Sequence, residues 1–508
     1  MSLNEWGAAP GRPKARLPRD IFEQMKPGMG IFAGLGQVEG SIEGACAMDH
    51  DDLRVWSKRA ADWTHGYHAG LRGRPVRAPL VPGAISAQLP LTAPERAEPM
   101  DAIFADFERI VPPGMTHWQH PRFFAYFPAN AAPASMLAEQ LANAMACNAL
   151  IWQTSPAATE IEQVIMHWLR QAVGLPEGFT GTIHDTATTA TLSAVLTMRE
   201  AAVKWAGLTE GLSGLPRLRI YASAETHSSV DKAVRIAGIG QDNLVKVPTD
   251  AGHSIRPEAL AAAIATDRAA GMMPVGVILC VGGTSIGAFD RIAECIAVAK
   301  AADLPVHVDA AWAGSAMICL EFRDLWAGVD AADSIVLNPS KWLGAQFDCS
   351  VQFLADPAAQ VRTLGLRPTY LETAGREEIV NFNEWTVPLG RRFRALKLWF
   401  VLRAYGLEGL RSRIRNHVSW AQASAKALAA MPGVSIVTQP ALSLYTFALD
   451  AGDQATEALL ARINDDGRIY LTQTRAMGRY VIRVQVGQFD CTQDDVAMIA
   501  EVVSELMQ

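Results

Sequence analysis

The sequence lacks closely spaced cysteines. Its seven cysteines occur singly along 508 residues, and no two of them have the spacing of a zinc-binding or redox motif. Isolated thiols in a long chain are typical of a reducing compartment. We therefore expect a cytoplasmic protein without a metal site.

Long apolar helices and excess positive charge are also missing. The longest uncharged stretch, residues 269–289, reaches membrane-spanning length, but its five glycines and one proline make it a poor transmembrane helix. The first residues carry charge and lack the apolar core of a signal peptide, so neither export nor membrane insertion is expected. The net charge of −7 disfavours avid binding to nucleic acid.

What is present is a chain that is 50% hydrophobic and long enough for two or three domains. Residues 1–47 form a predicted N-terminal extension, and residues 48–130 a helical N-terminal segment. Helical periodicity, as in the helix predicted to begin with Ser155 as N-cap and Pro156 as first helical residue, then alternates with short apolar runs at residues 218–222, 275–281, 306–308 and 334–337. This alternation predicts an α/β fold with a mostly parallel sheet covered by helices, in a large domain of residues 131–403. Residues 404–508 predict a smaller α+β domain.

A hydroxyl-rich segment, residues 184–192, runs into a predicted helix. Free N–H groups at a helix start, threonine hydroxyls and the helix dipole together form an anion site that suits a phosphate. A run of threonines that only caps the helix has the same pattern, so this segment alone does not decide between the two.

Three further polar residues follow predicted strands. His227 is placed to stack on a flat heterocycle or to transfer protons, although a capped core histidine has the same pattern. Asp309 ends an apolar strand, where a buried carboxylate needs a partner such as a protonated ring nitrogen. Lys341 follows another strand, and an apolar neighbourhood favours the neutral amine that bonds to carbonyl carbon. His307 and Asp309 have metal-like spacing, but the sequence offers no third ligand nearby.

These residues belong to segments that carry a family resemblance. The segments are PRFFAYFP (121–128), ETHSSVDKA (225–233), HVDAAWAGSA (307–316), NPSKWL (338–343) with QFDCS (346–350), and VPLGRRFRALKLWFV (387–401). They resemble the group II pyridoxal-phosphate decarboxylases, above all the aromatic amino acid decarboxylases, with histidine, tryptophan and tyrosine decarboxylases as further relatives. The resemblance extends from about Asp49 to the C terminus. It implies a fold type I, PLP-dependent transferase-like architecture and a homodimer in which residues 48–130 wrap around the partner.

The resemblance implies a role for each matching residue. Lys341 would bind the cofactor pyridoxal 5′-phosphate covalently, Asp309 would hold its protonated ring nitrogen, and His227 would stack on its ring. Tyr370, on a loop that is mobile in relatives, would protonate the substrate carbon after CO₂ leaves. The remaining cofactor contacts would come from Ala187, Thr188, Thr284, Ala311, Asn338 and Ser340, and from Leu389 and Gly390 of the partner subunit.

The resemblance also implies an aromatic L-amino acid substrate: tryptophan, DOPA, tyrosine or phenylalanine. The substrate pocket would be formed by Tyr126, Phe127, Pro128, Leu150 and Gly390. These positions include no arginine, which disfavours acidic substrates. Ser340 matches animal histidine decarboxylases, so histidine is an alternative, whereas Gly390 matches enzymes for DOPA and tryptophan. Trp312 stands where relatives commonly have tyrosine. The presence of both His227 and Tyr370 favours amine formation over the oxygen-dependent aromatic acetaldehyde synthases of the same scaffold.

Two other function classes are compatible with single motifs. A dinucleotide-dependent oxidoreductase needs a glycine fingerprint between a strand and a helix, and the glycines of residues 28–36 follow no convincing strand. The basic run from Arg391 to Arg403 would suit a nucleic-acid or partner surface. Its interleaved aromatic and aliphatic residues favour a buried helix with paired charges instead.

Overall fold

A computed structural model describes residues 48–366 and 379–507. The α-helices of these residues are α1 (His50–Gly70), α2 (Met100–Ile110), α3 (Pro133–Met145), α4 (Pro156–Val173), α5 (Ala187–Ala202), α6 (Gly207–Glu210), α7 (Ser228–Ile236), α8 (Pro257–Ala269), α9 (Ile292–Ala301), α10 (Pro339–Trp342), α11 (Ala358–Leu364), α12 (Arg394–Ala429), α13 (Asp453–Asp466) and α14 (Gln493–Leu506). The strands are β1 (Thr180–His184), β2 (Leu218–Ala222), β3 (Leu244–Lys246), β4 (Met273–Cys280), β5 (Val306–Asp309), β6 (Ser334–Leu337), β7 (Ser350–Leu354), β8 (Val434–Ala441), β9 (Leu444–Leu449), β10 (Thr472–Ala476) and β11 (Arg479–Gln485).

The larger sheet has the strand order β1-β7-β6-β5-β4-β2-β3. Neighbouring strands from β6 to β3 are parallel, and β7 runs antiparallel to both β1 and β6. The mostly parallel sheet that the sequence predicts is therefore confirmed. Because its parallel strands end at one edge, the residues that follow them are brought together there.

Strand β4 shows why the apolar run in residues 269–289 belongs to a globular core. Its last six residues are all buried, as expected for a central parallel strand with helices on both faces. Gly282 follows with a φ of 84°, a backbone conformation that favours glycine, and the chain leaves the sheet there. Within the described ranges, no helix is both long and apolar enough to cross a membrane.

The smaller sheet is antiparallel, with the order β10-β11-β9-β8. It has a core of its own, in which Tyr445, Phe447 and Ile482 are completely buried and pack with residues of α13 and α14. The predicted α+β arrangement of the C-terminal part is confirmed.

Helix α12 links the two sheets. It is interrupted at Gly406, which has φ 61° and ψ 166° instead of helical values. The part before this residue packs in the core of the large sheet, and the part after it leads to β8. The predicted domain boundary between residues 403 and 404 lies inside this helix, and the division into domains stays a prediction.

The first turns of α12 and the residues before it contain the basic run. Four of its five cations, Arg391, Arg392, Arg394 and Lys397, are paired with carboxylates as predicted, whereas Arg403 is exposed and lies 4.7 Å from the centre of the Trp399 ring. Buried Arg391 lies 2.6 Å from Glu162, and Lys397 lies 2.7 Å from Glu139. These side chains are therefore part of the core and do not form an exposed basic surface.

Candidate active site

The carboxyl ends of the parallel strands enclose a cavity of about 230 Å³. All four predicted segments contribute to it, since they follow β1, β2, β5 and β6. The cavity is lined by Thr186, Ala187, Thr188, His227, Cys280, Gly282, Gly283, Thr284, Asp309, Ala311, Trp312, Asn338, Lys341 and Phe347.

Lys341 lies in α10, directly after β6. Burial lowers the pKa of its amine to about 8, the negative charge of Asp309 opposes this shift, and the positive charge of Arg483 adds to it. Its Nζ atom lies 4.6 Å from the centre of the Phe127 ring. A substantial fraction of the amine is therefore neutral near pH 8, and a neutral amine is nucleophilic.

Asp309 is the last residue of β5 and is almost fully buried. Its Oδ1 accepts a hydrogen bond from the N–H of Ala311 at 3.0 Å. Across residues 48–366 and 379–507 it forms no ion pair with a cationic side chain within 4.0 Å. A buried carboxylate of this kind is suited to a cationic N–H group of a ligand.

His227 caps α7 and also lines the cavity. Its Nδ1 accepts a hydrogen bond from the N–H of Ser229 at 3.1 Å and lies 2.9 Å from the hydroxyl of the same residue. Burial lowers the pKa of His227, with Asp309 raising it and Lys341 lowering it further. The predicted cap is therefore present and holds the imidazole in the cavity wall, but the residue remains exposed and is not a core histidine. Its stacking or proton-transfer role stays a prediction.

The start of α5 forms the anion-binding end of the cavity. Thr186 caps the helix, and its hydroxyl accepts the N–H of Thr189 at 3.4 Å. Ala187 and Thr188 are the first two helical residues, and N–H groups at these positions have no partner within a helix. Such N–H groups, together with the helix dipole, bind phosphate. On the opposite wall the side-chain oxygen of Asn338 accepts the hydroxyl of Ser350 at 2.8 Å.

His307, the other residue with metal-like spacing, is a core residue. Its ring nitrogens lie 2.9 Å from the hydroxyl of Ser334 and 3.4 Å from that of Thr191. Burial lowers the pKa of His307 to about 4. In the part of the chain that the structure describes, no group of three or more His, Cys, Asp or Glu side chains is arranged to hold a metal ion.

Several predicted site residues do not line this cavity. Ser340 is buried behind it, and Gly390 lines a separate small cavity of about 40 Å³ beside His184 and Arg391. Leu389 and Tyr126 are about half exposed. Pro128 and Leu150 lie outside the cavity lining, and Tyr370 lies outside the described residues. The roles of these seven residues, and of Phe127, which is also outside the lining, stay predictions.

Arg483 is a residue of the site region that the sequence reasoning missed. It is buried in β11, with its guanidinium 4.6 Å from the centre of the Phe127 ring. It donates hydrogen bonds to the carbonyl oxygens of Thr284, at 3.0 Å, and Tyr126. Its Nη2 has no hydrogen-bond partner within the described residues. The available signal was a charged residue inside the apolar run of a strand, because such a residue needs a reason to be buried.

Residues 82–450 match the pyridoxal-dependent decarboxylase conserved domain. The chain belongs to the pyridoxal-dependent decarboxylase family. It is 36% identical to tryptophan decarboxylase 2 of Oryza sativa subsp. japonica, over 89% of this chain and 94% of that protein. It is 38% identical to the aromatic-L-amino-acid decarboxylase of Sus scrofa, over 86% of this chain and 93% of that protein. The fold also matches a crystal structure of Oryza sativa TDC with PLP and tryptamine, with a TM-score of 0.88, 33% identity, and coverage of 91% of this chain and 98% of that one.

This decarboxylase is a PLP-dependent amino acid decarboxylase, and its cavity fits the cofactor. The cavity offers a partner for three functional groups of pyridoxal 5′-phosphate. The amine of Lys341 suits its aldehyde, the buried carboxylate of Asp309 suits its ring nitrogen, and the N terminus of α5 suits its phosphate.

Replacing Arg483 with methionine is expected to raise the pKa of Lys341, because the guanidinium repels the ammonium form of the lysine. A smaller neutral fraction of the lysine then slows cofactor capture by the apo decarboxylase at pH 7.5. The measurement is the pH dependence of the capture rate, whose midpoint should move upward.

The matched control is Arg483→Lys, which keeps the positive charge and should keep the midpoint lower than the methionine variant does. If the methionine and lysine variants have the same midpoint, Arg483 does not act on Lys341 through its charge.

Proposed function

We propose that this decarboxylase removes the α-carboxyl group of an aromatic L-amino acid as CO₂ and releases the corresponding amine. The observation that carries the proposal is the pairing of Lys341, whose pKa is about 8, with the buried carboxylate of Asp309 in one cavity. The relatives whose names specify tryptophan or aromatic amino acids support the substrate class.

The cofactor, when bound, supplies the electron sink that accepts the bonding electrons as CO₂ leaves. Lys341 provides the amine that attaches the cofactor, and Asp309 keeps a proton on the ring nitrogen. The first turn of α5 holds the phosphate, while the neutral imidazole of His227 covers the flat ring. Tyr370 is proposed as the acid that protonates the substrate carbon.

The apolar side of the site supports an aromatic substrate. Phe127 and Trp312 stack with ring centres 4.9 Å apart and an angle of 29° between their planes. Flat, apolar surfaces of this kind bind aromatic side chains and exclude water. The guanidinium of Arg483 lies 4.6 Å from the centre of the Phe127 ring, and Arg483 is not part of the cavity lining.

The decisive experiment offers the cofactor-saturated protein tryptophan, tyrosine, phenylalanine, DOPA, histidine and glutamate separately. We expect amine and CO₂ in equal amounts from at least one aromatic substrate, and less than about 1% of that rate with glutamate, because none of the described residues that line the cavity is an arginine. Amine, CO₂, aldehyde and hydrogen peroxide are measured in each reaction.

If histidine is the best substrate, the proposed substrate class is wrong and the proposed reaction stands. Aldehyde with peroxide would assign the chain to the acetaldehyde synthases and remove the role of Tyr370. Lack of turnover with all six substrates would contradict the proposal.

The proposal includes a homodimer. No residue of α1 is buried, although Trp56 and Trp63 on this helix pack against Phe104 and Phe107 of α2. Large apolar side chains remain exposed on both helices and on α3, among them Leu53, Val55, Ile103, Leu137 and Met145. An apolar surface of this extent needs a partner, and a second copy that also contributes Leu389 and Gly390 would cover it. The cofactor-saturated sample should therefore have twice the mass of one chain.

We also propose a cytoplasmic location. The six cysteines in the described ranges are all free thiols, five of them buried, which suits a reducing compartment.

A further inference from the structure

Asn130 is a fully buried side chain that contacts the segment of Lys341 directly. Its backbone N–H donates to the carbonyl oxygen of Ser340 at 3.0 Å, and its side-chain Nδ2 donates to that of Lys341 at 2.7 Å. The same Nδ2 donates to the carbonyl oxygen of Gly487 at 2.8 Å, and Oδ1 accepts the N–H of Phe489 at 2.9 Å.

These contacts join three parts of the chain that are far apart in sequence. Asn130 follows the predicted substrate-pocket residues, Lys341 lies in α10, and Gly487 and Phe489 follow β11 of the smaller sheet. Both Nδ2 hydrogens and the side-chain oxygen are used, so the amide has one orientation that satisfies all of its partners. The position of the Lys341 backbone is thereby tied to the smaller sheet.

Trp342, the residue after Lys341, is hydrogen-bonded to the part of α12 that leads to the smaller sheet. Its indole N–H donates to Nδ1 of His417 at 2.9 Å, and both side chains are 1% exposed. His417 lies in α12 beyond the interruption at Gly406. Burial lowers the pKa of His417 to about 3, with a smaller contribution from Arg413, so the imidazole is neutral and its Nδ1 is free to accept.

The hydrogen bond to His417 also fixes Trp342 at one end of a stack of three aromatic rings, and the ring at the other end contacts the amine of Lys341. Trp342 stacks on Trp312 with ring centres 5.2 Å apart, and Trp312 stacks on Phe127, whose ring centre lies 4.6 Å from Lys341 Nζ. The indole N–H of Trp312 has no partner within the described residues. Because stacked rings slide and rotate at small cost, the bond to His417 is the directional contact that fixes the stack.

We propose that Asn130 and His417 are positioning residues that hold Lys341 in place from the side of the smaller sheet. Asn130 fixes the lysine backbone, and His417 fixes the ring stack on which the amine lies. The inference rests on the proposed role of Lys341 as the cofactor lysine. It assigns no contact with substrate or cofactor to either residue.

The test compares Asn130→Asp, His417→Leu and His417→Asn in the full-length protein. Asn130→Asp keeps the size but places a carboxylate against two carbonyl oxygens, and His417→Leu leaves the Trp342 N–H without an acceptor. His417→Asn can return an acceptor close to the position of Nδ1. The measured quantities are the dissociation constant of pyridoxal 5′-phosphate, the pH midpoint of the visible absorbance of the bound cofactor, and the melting temperature of the apo protein.

The matched control is Ser424→Ala. This change removes another buried hydrogen bond of α12, the 2.7 Å contact with the hydroxyl of Tyr445, about two helical turns beyond His417. It reports the effect of destabilisation without a change next to Lys341.

We expect Asn130→Asp and His417→Leu to weaken cofactor binding by about tenfold or more and to shift the pH midpoint, since an unsatisfied buried polar group has a cost of this order. His417→Asn should bring the cofactor dissociation constant and the pH midpoint most of the way back to the wild-type values. Ser424→Ala should lower the melting temperature and leave the cofactor dissociation constant and the pH midpoint unchanged.

If the two disruptive variants change only the melting temperature, as Ser424→Ala does, the positioning role is refuted while the role of Lys341 stands. If Lys341→Ala itself retains the absorbance of the bound cofactor, the proposed function fails first. The two failures are therefore distinguishable.

Discussion

Replacing Lys341 with alanine is expected to abolish the visible absorbance that the cofactor gains on bonding to a lysine, and to lower the decarboxylation rate at least about 1,000-fold. The physical reason is the location of this amine. It lies in the cavity wall with a pKa of about 8, so it supplies a neutral nucleophile close to neutral pH. Absorbance spectra of the cofactor-saturated variant and release of CO₂ from the best substrate measure the two effects.

Lys232→Ala is the control for this experiment, because Lys232 lies on α7 with an exposed side chain. It should keep the absorbance and the rate of the wild-type protein. Normal absorbance in the Lys341 variant would show that the cofactor is attached to another residue, and the site as described would be wrong.

Replacing Asp309 with asparagine is expected to lower the decarboxylation rate by about 100- to 1,000-fold, the usual effect of removing a preorganised electrostatic partner from an active site. The carboxylate is buried and forms no ion pair among the described residues, so its negative charge is available to the cofactor ring. The turnover number at saturating substrate and cofactor is the quantity to measure.

The effect of the Asp309 charge on the pKa of Lys341 allows this experiment to separate a role at the ring nitrogen from a role in cofactor attachment. Asp309 raises the pKa of Lys341, so its removal leaves more of the lysine neutral and should favour capture of the cofactor aldehyde. A lower turnover number together with unimpaired attachment to Lys341 would identify a role at the ring nitrogen. A turnover number within about threefold of wild type would contradict that role, since a partner of this kind contributes far more.

Much of the large sheet could be predicted because its central strands are continuous apolar runs. β2 and β6 have the predicted bounds, and β4 and β5 differ from the predicted bounds by one or two residues. β1, β3, β7 and β8 were not predicted. β1 carries three polar side chains in five residues, and β3 has only three residues, so neither has the apolar pattern on which the prediction relied.

The residue at which a helix begins could be predicted, but the hydrogen bond made by its N-cap side chain could not. Ser155 is the N-cap residue of α4 as predicted, with Pro156 as the first helical residue. Its hydroxyl donates to the carbonyl oxygen of Asn148 at 3.1 Å and makes no cap hydrogen bond. The start of a helix follows from local residue types, whereas the partner of a hydroxyl depends on what packs against it.

The sequence by itself determined the fold class and the chemical groups of the site. Asp309 ends an apolar strand, Lys341 and His227 each come shortly after one, and parallel strands present their carboxyl ends at one edge of a sheet. Only the tertiary structure decided what surrounds these groups. Arg483 acts on Lys341 across 142 positions of sequence, and Asn130 binds its carbonyl oxygen across 211. Contacts between residues so far apart leave no periodic pattern in the chain, because they arise only when the smaller sheet packs against the larger one.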